Sequence, residues 1–274
     1  MTGATAEFDP KRLDLKTNVP HPARVYDYLL GGKDNFEPDR IAAANLTRNA
    51  PNTPISMRAN REFMVRVGRY LAAKHGIRQF LDIGTGLPTA PNLHEVVQEI
   101  APESRIIYVD NDPIVLLHAR ALLVSNPAGR TAYVDADLRE PESIMSAPQL
   151  RETLDLDKPV ALTLIAIVHF IPDDALVRDL IKRLMAPLAP GSVLALSTLT
   201  ADSAPEEANA AVRAFNGDGL PLKARTRAEV LPFFDGFDLI DPGVVLVHRW
   251  HPDQAATRFR DHQVHMYGGA AVKR

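Results

Sequence analysis

The sequence predicts an α/β protein: an open sheet of seven strands, mostly parallel, with one antiparallel strand at the C-terminal end and a helical extension at the N-terminus. Three observations carry this expectation. From Gln79 onward, short apolar and β-branched runs alternate with segments of helical periodicity, as parallel strands joined by right-handed crossovers require. The longest apolar run, residues 159–170 (PVALTLIAIVHF), has no polar alternation, which suits a central strand covered on both faces. The last two strand-like runs, 244–250 and 265–274, have no long helix between them, so a hairpin there turns one strand antiparallel.

The elements follow from local chemistry. Pro22 suits the first turn of a helix that runs to Leu30 and stops at Gly31-Gly32. A second helix is expected over 56–75, where Phe63, Val67, Tyr70 and Leu71 share a face and Gly76 ends it. Residues 79–83 (QFLDI) read as the first strand and 92–100 as a helix that stops before Pro102. The second strand is 105–110 (RIIYVD); Asp112-Pro113 then caps and opens a helix to about Ser125. Residues 131–135 (TAYVD) form the third strand, followed by a short helix from Pro141. Asp173 caps the helix after the long apolar run, and 191–200 (GSVLALSTLT) is the next strand. Ser203 with Glu206, and Thr226 with Glu229, have capping-box spacing. The expected division is a helical extension or lid over 1–55 and a sheet domain over 56–274.

Composition narrows the function classes. The 274 residues are 46% hydrophobic and 24% charged, with a net charge of −3 and no basic block; nucleic acid is not an expected partner. With no cysteine, disulfides, thiolate metal sites and a cysteine nucleophile are excluded. The histidines show no metal-ligand spacing, and no Gly-x-Ser-x-Gly elbow occurs; no metal is expected. The N-terminus has no signal-peptide core, and the apolar run 160–171 is too short to span a bilayer, so a cytoplasmic protein without membrane association is expected. A homo-oligomer is left open.

The strongest chemical signal is LDIGTG, residues 81–86, at the end of the first strand. Gly84 and Gly86, with Thr85 between them, let backbone pass close to a ligand at the carboxyl edge of the sheet. Asp82 is expected near a cationic amino group of that ligand. Asp110 and Asn111 end the second strand, where a carboxylate accepts from both hydroxyls of a ribose. After the third strand, Asp137 is positioned to accept from an adenine amino group and the Leu138 amide to serve a ring nitrogen. Ala166, late in the apolar run, completes the candidate cofactor set. Each position also has a plainer reading: a tight turn for the glycines, a loop or capping residue for the aspartates. A dinucleotide fingerprint needs a third glycine where Thr89 stands. Gly31-Gly32-Lys33 lacks the spacing of a phosphate-binding P-loop.

These motifs resemble those of class I S-adenosylmethionine-dependent methyltransferases: LDIGTG is similar to their first motif, YVDNDP (108–113) to their second and DADL (135–138) to their third. ARVYDYLLGGKDNFEPDR (23–40) and MYGGAAVKR (266–274) are similar to the opening and closing segments of an actinobacterial, DUF574-like family of S-adenosyl methyltransferases. The resemblance implies a Rossmann-like fold, S-adenosylmethionine as cofactor and S-adenosylhomocysteine as product. It names no acceptor. It departs from the broad pattern at Pro88, where many class I enzymes carry a third glycine.

A small-molecule acceptor with an oxygen or nitrogen nucleophile is the expected substrate. His169, at the end of the apolar run, is the candidate general base, with a hydrogen-bonded strand-end histidine as its other reading. Tyr26, Asn35 and Phe36 are candidates for a lid or acceptor site, hinged at Gly31-Gly32; an ordinary amphipathic helix is the alternative. Competing functions are a cofactor-binding regulatory protein without transfer chemistry and a nicotinamide-dependent oxidoreductase.

Overall fold

The computed structural model describes residues 15–122 and 124–274. Three helices come first: α1 (Pro22–Leu30), α2 (Glu37–Asn49) and α3 (Thr53–Lys74). Then β1 (Gln79–Ile83), α4 (Leu93–Ile100), β2 (Arg105–Asp110), α5 (Pro113–Leu122) and β3 (Arg130–Asp135) alternate. After α6 (Pro141–Ser146) and α7 (Pro148–Thr153) come β4 (Ala161–Ile165), α8 (Asp174–Met185), β5 (Val193–Leu199), α9 (Pro205–Gly217) and α10 (Arg227–Val230). The chain ends with β6 (Phe237–Leu239), β7 (Val245–Leu246) and β8 (Met266–Lys273).

The sheet order is β3-β2-β1-β4-β5-β8-β6, with β7 also paired to β8. Strands β1 to β5 pair in parallel, and β8 runs antiparallel to β5, β6 and β7. The mostly parallel sheet with one antiparallel strand is thus present, with β7 as a short addition. Two expectations about its strands need correction. Residues 244–250 supply only the two-residue β7 before a 3₁₀ turn at Val247–Arg249; the strand on the far edge is β6, whose three residues are half-buried or exposed and so leave no apolar run. The long run 159–170 is extended only to Ile165. Ala166 then turns the chain at φ +55°, and Val168–Phe170 form a 3₁₀ turn.

Both faces of the sheet are covered. One carries α1, α2 and α3, with Phe63, Phe80 and Trp250 fully buried; Phe63 meets Trp250 edge-on, ring centroids 5.5 Å apart. Such side chains each contribute roughly 1.5–3 kcal/mol by burial. The other face carries Ile107, Leu162 and Leu194 under α7 and α8. The N-terminal helices share the first core: Val25, Leu29, Ala42 and Leu46 pack with Phe63 and Val67 of α3. Helix α2 was not expected. Its inward positions are Asp39, Ala42, Ala43 and Leu46: one charge, two alanines and one leucine give a weak apolar stripe, although Pro38 in the first turn and Asp39 as capping acid mark its start. Among the described residues, no helix is long and apolar enough to cross a membrane.

Candidate cofactor site

A cavity of about 330 Å³ lies at the carboxyl ends of β1, β2, β3 and β4, the usual ligand position in an open α/β sheet. All nine candidate cofactor residues line it: Asp82, Gly84, Thr85 and Gly86 after β1, Asp110 and Asn111 at β2, Asp137 and Leu138 after β3, and Ala166 after β4. The glycines are required by backbone geometry. Gly84 sits at φ +77° and Gly86 at φ +67°, in the left-handed region that costs other residues roughly 1–2 kcal/mol. A Cβ on Gly84 would also lie 2.1 Å from Ile167 Cδ1. Ala166 adopts a similar strained conformation, held by donation from its N–H to Ser197 Oγ at 3.0 Å.

The acidic side chains are placed by backbone donors. Asp110, buried at 7% exposure, accepts from the amides of Gly86 (2.8 Å) and Asp112 (2.9 Å). Each oxygen keeps acceptor capacity for a diol. Asp137 differs from expectation. Its oxygens accept from the Arg139 amide, Nε and Nη2 and from Asn111 Nδ2, at 2.7–2.9 Å. Four bonds fill its lone-pair sites, and the Arg139 guanidinium holds its pKa down at about 2. An adenine amino group therefore competes with Arg139 for this carboxylate. The neighbouring Leu138 amide makes no hydrogen bond among the described residues.

Asp82 faces a polar row across the sheet, in register with Tyr108 on β2 and Thr163 on β4. Thr163 Oγ1 donates to it at 2.5 Å, yet burial dominates and raises its pKa to about 6. The cation facing it is Arg61 of α3, which sequence reasoning missed. Arg61 Nη2 donates to the carbonyls of Thr89 and Pro91 (2.8 Å for the latter), and its Nε is buried without a partner among the described residues. On α3 it lies off the apolar face of Phe63, Val67, Tyr70 and Leu71, where a lone arginine gives no signal.

Helix α1 forms the opposite wall, with Pro22, Ala23, Tyr26 and Asp27 on the cavity. Tyr26 donates to the Met57 carbonyl (3.1 Å) and accepts from Asn60 Nδ2 (3.1 Å); Ser197 Oγ donates in turn to Asn60 Oδ1 (2.6 Å). Asn35 and Phe36 do not line the cavity. Asn35 Nδ2 donates to Asp27 Oδ2 (2.8 Å), and Phe36 caps α2 with its ring 5.6 Å from the Arg24 guanidinium. Both lie behind the cavity wall, because the Gly31-Gly32 turn folds the chain back onto α1: a Cβ on Gly32 would meet Asp27 Oδ1 at 1.9 Å.

Arg24, 1% exposed, was also missed. Its Nε donates to Asp39 (3.0 Å), its Nη1 reaches Asp112 (3.4 Å), and its guanidinium takes the carbonyls of Leu15, Lys16 and Val19. His21 Nδ1 lies 2.9 Å from the same Asp112. The extension is thereby bolted to the loop carrying Asp110. The pairing joins residues 88 positions apart and leaves no local pattern.

His169 is corrected as a general base. It lies outside this cavity and is 6% exposed, and its Nδ1 accepts from the Leu199 amide at 3.2 Å. That bond puts the neutral ring's proton on Nε2. Burial, with the Arg225 guanidinium adding to it, lowers the pKa to about 3. Arg225 also donates to the carbonyls of Val168 and Ile171, fixing the turn around the histidine. His169 is the hydrogen-bonded strand-end histidine. Among the described residues, no cluster of acidic and histidine side chains is placed to hold a metal.

Comparison with known proteins identifies the family. The family model described as S-adenosyl methyltransferase matches residues 8–274. A crystal structure of a DUF574 family protein from Streptomyces avermitilis is 51% identical, with TM-score 0.93 over 95% of this chain and all 100% of that one. A methyltransferase candidate from Thermobifida fusca is 38% identical, with TM-score 0.87 over 95% of this chain and 97% of that one. At 15% identity, an S-adenosylmethionine-dependent methyltransferase from Anabaena variabilis shares the fold, with TM-score 0.51 over 77% of this chain and 83% of that one. No curated protein matches. The family match sets aside the nicotinamide alternative and makes S-adenosylmethionine the cofactor. The chain belongs to the S-adenosyl methyltransferase family.

Proposed function

We propose that this protein transfers a methyl group to the oxygen or nitrogen of a small-molecule acceptor in the cytoplasm. The observation that carries the reading is a match of unfilled groups. The cavity offers a free amide at Leu138, a buried guanidinium nitrogen without a partner at Arg61 and a buried carboxylate at Asp82. In S-adenosylmethionine these correspond to the adenine ring nitrogen, the carboxylate and the ammonium. Asp110 would hold the ribose diol, with the Gly84-Thr85-Gly86 turn lining the same cavity.

When bound, the cofactor would supply an electrophilic sulfonium methyl for the acceptor's lone pair, with the S–C bonding electrons staying on sulfur. The chain aligns and desolvates the reactants. Ala166 and Ile167 wall the site beyond β4, and the Tyr26–Asn60–Ser197 chain of hydrogen bonds holds α1 and α3 against that wall. With the Nδ1 lone pair of His169 taken by the Leu199 amide and the ring outside the cofactor cavity, no side chain is assigned as base; the acceptor's proton leaves to solvent. Calorimetric titration with S-adenosylhomocysteine and, separately, with NAD tests the reading. Micromolar binding of the first, its loss in Asp110→Ala, and no heat from NAD are expected. No binding of S-adenosylhomocysteine would overturn it.

A further inference from the structure

A second, smaller pocket of about 60 Å³ lies directly behind the first and shares Pro22, Tyr26 and Phe170 with it. It is enclosed by α1, α2, α3 and α9, through side chains such as Leu29, Leu46, Met57, Ala211 and Phe215. Phe215 stacks on Phe170 at 6.3 Å between ring centroids. No Lys, Arg, Asp or Glu is among the described residues lining it. Several of its polar groups are already engaged: Tyr26 Oη with Met57 and Asn60, Ser56 Oγ with the His265 amide, His169 Nδ1 with Leu199; His265 Nε2, 3.5 Å from Glu207 Oε2, is buried without a hydrogen bond among the described residues. Burial lowers the pKa of both its histidines, His169 and His265, so neither supplies a positive charge at neutral pH.

We propose that this pocket receives the uncharged, apolar end of the methyl acceptor, with the reacting heteroatom directed past Tyr26 and Phe170 into the cofactor cavity. The proposal rests on the methyl-transfer reading above and adds the acceptor's chemical class. An ion placed in the pocket would lose its hydration without a charged partner to replace it. The size sets the scale. An apolar cavity of roughly 150 Å³ accepts benzene, so this pocket takes a small alkyl group or one edge of a single ring, the remainder lying at the shared boundary. With Tyr26, Ser56 and His169 Nδ1 engaged and a mostly apolar lining, the acceptor's own polar atom gains more at the shared boundary with the cofactor cavity, which favours the outward orientation.

The test titrates phenol, benzoate and benzylamine into the full-length protein, both free and loaded with S-adenosylhomocysteine, by calorimetry and saturation-transfer NMR. Phenol is expected to bind at least tenfold more tightly than either charged probe. Ala211→Phe, which fills the pocket, is expected to weaken phenol at least tenfold and leave S-adenosylhomocysteine within twofold. Phe215→Ala, which enlarges it, is expected to admit 2-naphthol, and decides the matter if Ala211→Phe does not fold. Charged probes binding as well as phenol, or neither variant altering the binding of neutral rings, would overturn the proposal. Loss of S-adenosylhomocysteine binding alone would overturn the cofactor reading, while the phenol arms on the free protein still decide the pocket.

Discussion

The strand-end wall of the cavity and the helical wall facing it hold their shape by different means. At the ends of β1 and β2, the ligand-facing groups are fixed by backbone: positive φ at Gly84 and Gly86, and main-chain amides that hold the Asp110 carboxylate. Facing them, α1 is held by side chains, with the Arg24 guanidinium joining Asp39, Asp112 and three carbonyls. A wall made from backbone is built from residues close in sequence. A wall made from a buried ion hub gathers residues far apart and depends on every member, because removing one partner strands the charge of another. The two walls should therefore fail differently when mutated.

The largest effect is expected on the helical wall. Arg24→Met leaves Asp39 buried without its cation and Asp112 with His21 as its remaining side-chain partner, and urea unfolding should show a loss of about 3–5 kcal/mol. Arg24→Lys should restore only part of it, because an ammonium lacks the planar fork that reaches both acids and the carbonyls. A loss below about 1 kcal/mol for the methionine variant would mean the hub does not hold this wall.

On the strand-end wall, damage should appear in ligand affinity. Asp110→Ala removes two charge-assisted bonds to the ribose, each worth about 1.5–3 kcal/mol; S-adenosylhomocysteine affinity should fall at least tenfold, with a smaller stability change than in Arg24→Met. If that ranking were reversed, the contrast between the walls would be lost.

Asp82 sharpens the comparison through pH. Burial raises its carboxyl to about 6, above the unfolded value of 3.8. The folded free protein therefore binds the proton more tightly than the unfolded chain, and this group's contribution to stability declines as pH rises through that interval. A bound ammonium favours the ionised form instead. Affinity for S-adenosylhomocysteine should thus fall as pH drops from about 7 to about 5, and Asp82→Asn should remove that slope. Calorimetry across the range checks both; a slope unchanged in the variant would place the titrating group elsewhere.

The smallest effect is expected at Asp137. Its lone pairs are committed to Arg139 and Asn111, so Asp137→Asn should change ligand affinity only about two- to threefold, corresponding to roughly 0.5 kcal/mol. A loss as large as that of Asp110→Ala would show that Arg139 yields the carboxylate to the adenine.

What was legible in the sequence follows the same division. The α/β alternation, α1 with its Gly31 stop, and all nine cavity-lining candidates were readable, because apolar periodicity, paired glycines and strand-end acids are local patterns. Arg24 and Arg61 were not, since a buried or half-buried arginine on a helix looks like any other until its distant partners are placed. Helix α2 hid behind alanines and a buried aspartate, and β6 behind three partly exposed residues. Asn35 and Phe36 were read as a lid because they follow a glycine pair; the turn there instead tucks them behind Asp27 and Arg24. His169 showed its position in the chain, but its solvation and the Arg225 beside it are tertiary facts.

The most direct test of the account is a crystal structure of the protein with S-adenosylhomocysteine. The ribose diol is expected on Asp110, the adenine edge on the Leu138 amide, the carboxylate at Arg61 and the ammonium at Asp82. A ligand bound elsewhere, or one in the cavity with its ribose away from Asp110, would contradict it.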